Sequence, residues 1–266
     1  MSTKTKAPPP QTRRARRAAE RSQSIEARRS STATARSPLL WATAVVGIAA
    51  VVLIAAAVLL QGGGAPKLDT TGLVSPTTPT PTALADGRSL GKADVPVTLE
   101  VWSDFQCPAC DQYAEIVEPS LVGQYVTPGI LRIVHHDAAF QGARSGSAYD
   151  ESVEAAAGAR CAADQGRYWP FHDWLFANRS GENEGAFADG RLRAIATSAG
   201  LDVTAWDACR ATGTQQSAVR AETQSGVANG INSTPTMFLN GEKIVGVQSV
   251  SVLGQKIEAA AAAARS

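Results

Sequence analysis

The hydrophobic and polar positions change rhythm several times along this chain. Residues 1–36 have no apolar run. Residues 39–60, 22 in number, are then almost wholly apolar, with no charge between Arg36 and Lys67. At about 1.5 Å per residue such a helix is roughly 33 Å long, enough for a hydrocarbon core of about 30 Å. A cleaved signal peptide carries a shorter apolar region of about 7–15 residues. The pattern therefore predicts an uncleaved transmembrane helix over residues 37–61. Periodicity disappears in "QGGGAPKLDTTGLVSPTTPTPTALADGRSL", and Gly, Pro and Thr predict a tether over 62–90. The folded part is expected from residue 91 to 266. Its first signal is "VTLEVW" (97–102), β-branched and apolar, read as a strand buried on both faces. "ILRIVHHD" (130–137) is another strand. "TMFL" and "KIV" flank Asn240-Gly241, a two-residue hairpin signal. An amphipathic helix closes the chain.

Charge sharpens this division. The formal net charge of +1 hides ten basic and two acidic residues in 1–36, which leaves −7 on the remainder. The positive-inside rule puts the arm in the cytoplasm and the folded part outside the membrane. The arm has no aromatic residues, so attraction to anionic lipid headgroups explains it better than nucleic acid does.

The four cysteines, Cys107, Cys110, Cys161 and Cys209, all follow the apolar segment, which suits an oxidising compartment. Cys107 and Cys110 are too close in sequence to close a useful loop. Cys161 and Cys209 are 48 residues apart, and a bridge there is worth about 4 kcal/mol in the chain-entropy account. The economical reading is one redox couple and one staple. A structural zinc site needs four nitrogen or sulfur ligands, and no second Cys-x-x-Cys or His-x-x-x-His completes one.

The spacing at Cys107 and Cys110 suits redox chemistry. A strand leads into a sharp turn, and Pro108 occupies a first helical position with Cys107 as the cap. Unpaired amides at a helix start favour the sulfur anion, the attacking species in thiol–disulfide exchange. Cys110, one turn on, is placed to resolve a mixed disulfide. Stabilising the Cys107 thiolate favours the reduced pair and makes the disulfide a better oxidant. Far downstream, Thr234-Pro235 before "TMFL" suggests a cis-proline turn.

Together "SDFQCPAC" (103–110), "ARCAADQGRYWPFHDWLF" (159–176) and "STPTMFLNG" (233–241) resemble the DsbA-like thiol:disulfide oxidoreductases of the thioredoxin superfamily. The resemblance covers about residues 90–265. It implies an α/β thioredoxin-like fold with a helical insertion at roughly 142–228. It implies Cys107 as the exposed nucleophile and Cys110 as the buried partner. Thr234 and cis-Pro235 would hold the substrate backbone as an extra strand. Some membrane-tethered members carry a second cysteine pair in the insertion, fitting Cys161 and Cys209. The family often places a buried acid six positions before the first cysteine. Here that position is Val101, and Glu100, one residue away on the opposite face, is the candidate proton relay. The Ala109 side chain offers the thiolate neither charge nor hydrogen bond.

Other features read as structure. Asp104 suits a cap or turn. Tyr168, Phe171 and Leu175 share a helical face and suit core packing, with a surface groove for unfolded clients as the functional reading. His135 or His136 near the site would tune Cys107. No G-x-S-x-G elbow accompanies Asp137 to make a hydrolase. There is no Walker loop, dinucleotide fingerprint or EF-hand, so no dissociable cofactor and no metal is expected. The sequence thus predicts a single-pass, membrane-anchored disulfide donor. Its clients would be exported cysteine-containing proteins. A DsbB-like or VKOR-like quinone-linked membrane oxidase would restore it. A reductase or isomerase on the same fold is the first alternative, and a non-enzymatic anchored binding module the second.

Overall fold

Among the described residues, six strands form a single sheet ordered β1-β2-β4-β3-β5-β6. The structure, a computed structural model, describes residues 68–142 and 149–265. The basic arm over 1–36, the apolar span over 37–61 and the start of the tether lie outside the described residues. Among the described residues, no helix is long and apolar enough to cross a membrane.

The strands are β1 (Ala85–Asp86), β2 (Ser89–Leu90), β3 (Val97–Ser103), β4 (Leu131–Asp137), β5 (Thr236–Leu239) and β6 (Glu242–Val245). β3 and β4 run parallel and every other pairing is antiparallel. β5 and β6 are joined through Asn240 and Gly241, both at positive φ (47° and 88°), as the tight hairpin turn requires. β3 is central, yet its side chains alternate. Val97, Leu99, Val101 and Ser103 are buried, Thr98 and Trp102 are half-buried and Glu100 is exposed. Burial on both faces, expected from its composition, therefore holds for only part of the strand.

A helical run leaves β3 as α1 (Pro108–Gln112) and continues through a π-helical turn (Tyr113–Val117), α2 (Glu118–Leu121) and a second π-helical turn (Val122–Val126). Pro119 within it has no amide to donate, and wider turns on either side absorb that defect. Tyr125 Oη donates to Glu258 (2.9 Å) and ties this run to the C-terminal helix α8 (Val250–Ala263).

Between β4 and β5 come α3 (Glu151–Ala163), α4 (Tyr168–Ala177), α5 (Asp189–Ser198), α6 (Val203–Ala211) and α7 (Thr214–Ala228). They fill the span expected for a helical insertion. α3 is buried along most of its length because alanines and Gly158 let neighbours approach closely. A Cβ on Gly158 would lie 2.9 Å from the Trp206 ring, whose Nε1 donates to the Gly158 carbonyl at 2.8 Å. Tyr168, Phe171 and Leu175 are all buried, so the aromatic stretch on α4 is core and not a client groove. α7 returns to the sheet, where Gly226 admits the Trp102 ring. Arg88, Asp137, Arg160, Glu222 and His136 form an ion-pair cluster joining the turn between β1 and β2 to β4, α3 and α7.

The sulfurs of Cys161 on α3 and Cys209 on α6 are bonded, closing a 48-residue loop. Replacing both with alanine should lower stability by about 4 kcal/mol, and the midpoint of thermal unfolding by roughly 10 °C. Thermal melts of the oxidised wild type and the double variant would check this. An unchanged melt would mean that the buried packing of α3 on α6 already supplies the constraint.

The tether expected over 62–90 needs correction. From residue 69 onward the chain is bound to the insertion. Val74 exchanges two hydrogen bonds with the Asn178 side chain (2.8 Å each). The Thr80 amide and hydroxyl both donate to Asp173 (2.7 and 2.9 Å). Residues 85–90 then supply two strands of the sheet. A Pro/Thr-rich segment has no periodic apolar face to betray its docking. Here side chains of α4 satisfy its backbone, so the local pattern shows only composition.

Candidate active site

β3 ends at Ser103, and the chain turns sharply through Asp104, Phe105 and Gln106. The Cys107 amide donates to the Asp104 carbonyl (3.0 Å), and Cys107 itself is extended (φ −73°, ψ 126°). Pro108 starts α1, and the Cys107 carbonyl accepts the Asp111 amide (3.0 Å). The strand is fixed in the sheet and the helix is fixed by its proline, so the sulfur of residue 107 is held at their junction.

The two thiols are free, and both are largely enclosed: Cys107 is 4% exposed and Cys110 is 0% exposed. Cys107 is thus the more accessible sulfur, but it is not the openly exposed nucleophile expected. Part of its cover comes from the segment before β5. The thiol donates to the Thr234 carbonyl at 3.4 Å, and the Thr234–Pro235 peptide is cis. These residues lie 127 apart in sequence. They meet because β5 pairs with β3, Thr236 opposite Trp102.

Electrostatics divides the pair. The Cys110 thiol donating to Cys107 is the largest influence on it, and burial opposes. The Thr234 side chain and the amides of Cys110 and Ala109 add to the donors. The net result holds the Cys107 thiol down at about 5, against an ordinary value of 9.0. Cys110 moves the other way. Burial pushes it well above the usual thiol range, and its bond to Cys107 adds to the rise. The reduced pair is therefore one thiolate and one thiol, with the Cys110 thiol donating to the Cys107 sulfur.

The other expected residues are distributed as follows. Glu100 is not brought to the cysteines. It lies on the opposite face of β3 from Val101 and Ser103, its side chain 48% exposed and 3.8 Å from His136. A buried proton relay at Glu100 is thereby contradicted: strand alternation turns its carboxylate away and water surrounds it. His135 is buried against Tyr168 (2.7 Å), and His136 stacks on Trp102 while binding Glu222 (2.9 Å). Both histidines serve the interior and its ion pairs. Asp137 belongs to the same cluster through Arg160 and Arg88.

Two residues near Cys110 were not read from the sequence as its partners. The Ser103 hydroxyl and the Asp104 amide both direct hydrogen bonds at the Cys110 sulfur, opposing the effect of burial. Their signal was present in part: Ser103 is two positions after Val101, so it shares the inward face. Which sulfur it would meet depended on how the turn folds back.

Comparison with known proteins supports this fold. Residues 83–259 match a thioredoxin family model. Among curated relatives, the probable disulfide bond formation protein D of Bacillus cereus is 32% identical over 103 residues. That match spans 38% of this chain and 45% of the relative, so under half of the relative's length is matched. The oxidised structure of BdbD from Bacillus subtilis superposes with a TM-score of 0.58 at 23% identity, over 66% of this chain and 92% of that one. α-DsbA1 of Wolbachia pipientis gives 0.57 at 17% identity, over 68% and 94%. At these identities the likeness establishes a shared fold: a thioredoxin-like α/β sheet with a helical insertion.

Proposed function

Because the chain belongs to this thioredoxin family, we propose that Cys107 and Cys110 are the redox centre of a DsbA-like thiol:disulfide oxidoreductase that donates disulfides to exported cysteine-containing proteins. The observation that carries the reading is the division of the pair: one sulfur is strongly favoured as an anion, and its neighbour is kept as a thiol. A metal clip or a plain staple needs no such asymmetry.

The reaction follows from it. A client thiolate attacks the Cys107 sulfur of the oxidised pair. The Cys107–Cys110 bond breaks, and Cys110 leaves with the electron pair and takes up a proton. The client's second thiolate then attacks the client sulfur of the mixed disulfide and expels Cys107. A sulfur comfortable as an anion is a good leaving group, so this step is fast and favours the oxidised client. In sum the client loses two electrons and two protons; the pair gains both electrons and one proton, held on Cys110, and the other proton goes to solvent. A DsbB-like or VKOR-like membrane oxidase would pass the electrons to quinone. The client strand would lie along the segment at Thr234 and Pro235, within reach of Cys107.

Location is part of the same proposal. The basic arm, the apolar span over 37–61 and four cysteines all beyond it support a single-pass protein with its redox domain outside the cytoplasm. Metal and dissociable cofactor have no part in the reaction as proposed.

Direction is decided by potential, and a glutathione titration of the Cys107–Cys110 pair tests it. We expect a value toward the DsbA end of the range, about −120 mV, and away from thioredoxin at about −270 mV. A result at the thioredoxin end would replace the donor with a reductase or isomerase on the same fold.

A further inference from the structure

Asp104 has an unusual position for a carboxylate. It is 2% exposed and accepts four hydrogen bonds, none from a cation. Oδ2 takes the amides of Phe140 (2.7 Å) and Gln141 (2.9 Å), in the loop after β4. Oδ1 takes the Gln106 amide (2.9 Å) and the hydroxyl of Ser152 (2.7 Å), in the first turn of α3. Ser152 is itself a junction, for its oxygen accepts the Gln106 side-chain amide (2.8 Å) and the Gly142 amide (3.1 Å). Gln106 extends the set: its Oε1 accepts the Asn183 amide (2.6 Å) and its carbonyl accepts Arg179 Nε (2.7 Å).

The backbone of the same residue serves the cysteines. The Asp104 carbonyl receives the Cys107 amide (3.0 Å), and the Asp104 amide points at the Cys110 sulfur. One residue therefore grips the helical insertion with its side chain and the redox turn with its main chain.

Resting on the proposed redox role of the pair, we propose that Asp104 is a positioning residue of the exchange reaction. Its carboxylate locks the Cys107 turn to α3 and to the loop after β4, and that lock keeps the hydrogen-bond donors aimed at the Cys107 sulfur. The chemistry calls for a carboxylate. Burial raises the Asp104 carboxyl to about 6, so at neutral pH it is ionised and acceptor-only, with about four lone-pair sites, and four donors converge here. Asparagine of the same shape would turn an NH2 toward backbone N–H groups and leave buried donors unpaired. The turn would then relax. Donors that must sit close to a sulfur anion lose most of their effect when they drift, so the Cys107 thiolate would become harder to form.

The sign of the effect separates this role from two others. Removing a negative charge near Cys107, with no change in position, would make its thiolate easier to form. A residue that merely holds the fold together would change stability and leave the titration of Cys107 alone.

The test uses the full chain as wild type, Asp104→Asn and Ser152→Ala. Cys107 is titrated through the pH dependence of its alkylation by iodoacetamide, and the pair is equilibrated with glutathione. Asp104→Asn should raise the Cys107 midpoint by at least about one pH unit. It should also shift the glutathione equilibrium about tenfold toward the disulfide, which makes the pair about 30 mV more reducing. Ser152→Ala, which removes one donor and leaves the carboxylate, should move both in the same direction by a smaller factor, and it decides alone if Asp104→Asn does not fold. A midpoint unchanged or lowered in the folded variants overturns the proposal. A wild type that titrates like an ordinary thiol would instead remove the redox reading on which it rests.

Discussion

Replacing Cys107 with alanine should abolish oxidation of a reduced test protein, while replacing Cys110 should abolish it as well and leave a Cys107 thiolate that traps clients bearing a disulfide. The two sulfurs are three residues apart but chemically unequal. Cys110 is wholly enclosed, its thiol is pushed well above the usual range, and Ser103 and the Asp104 amide hold it. A client thiolate has no route to it except through Cys107. With Cys107 absent, no disulfide forms in this pair, and the acceptor left is the Cys161–Cys209 bridge, whose Cys161 side is buried in the insertion. With Cys110→Ala the oxidised pair cannot form, so oxidation stops; the lone Cys107 thiolate can still attack a client disulfide, and no Cys110 thiol is there to release that mixed disulfide. Covalent client adducts should then accumulate, visible on non-reducing gels and lost on reduction. Refolding of a reduced disulfide protein, followed by the recovery of its activity, measures the first effect. Oxidation by Cys107→Ala at the wild-type rate would reject the redox reading and favour a binding module whose Cys-x-x-Cys is idle.

Cys107 should titrate near pH 5, about four units below an ordinary thiol. Its folded value is depressed below the unfolded one. The stabilisation of the reduced fold is therefore fully present above about pH 9, partly present at neutral pH, and lost as pH falls through about 5. The oxidised form has no thiol to ionise and gains nothing from this. The gap between the two forms should accordingly widen from pH 5 upward, and the disulfide should become a stronger oxidant relative to an ordinary dithiol over that window. Alkylation of the reduced protein across pH 3–10 gives the midpoint directly, since the buried Cys110 reacts far more slowly. Stability of the reduced and oxidised proteins to denaturant, at pH 4 and pH 8, gives the linked quantity. Reduced protein that gains no stability relative to oxidised protein between those two values would contradict the origin proposed for the driving force.

The chain order of strand, Cys-x-x-Cys helix, helical insertion and proline-led hairpin was legible because each element carries a local signal. β-Branched residues in "VTLEVW" favour a strand, Pro108 starts a helix, and Asn240-Gly241 makes a two-residue turn whatever surrounds it. Strand alternation also showed which way Glu100 would point relative to Val101. It did not show that Glu100 would stand in water beside His136 with nothing to relay. The segment from 69 to 90 was misread because docking there uses backbone amides and the side chains of Asp173 and Asn178, about a hundred residues away.

The sequence alone determined which atoms are available for chemistry: two thiols one helical turn apart, at the end of a strand. Tertiary structure decided what those atoms are like. The cover over Cys107 comes from Thr234, 127 residues on. The four donors on Asp104 come from its own turn, the loop after β4 and α3. The physical reason is range. Propensity and alternation are set by neighbours along the chain, whereas the charge of a sulfur is set by whatever donors and low-dielectric surroundings the fold brings within a few ångströms.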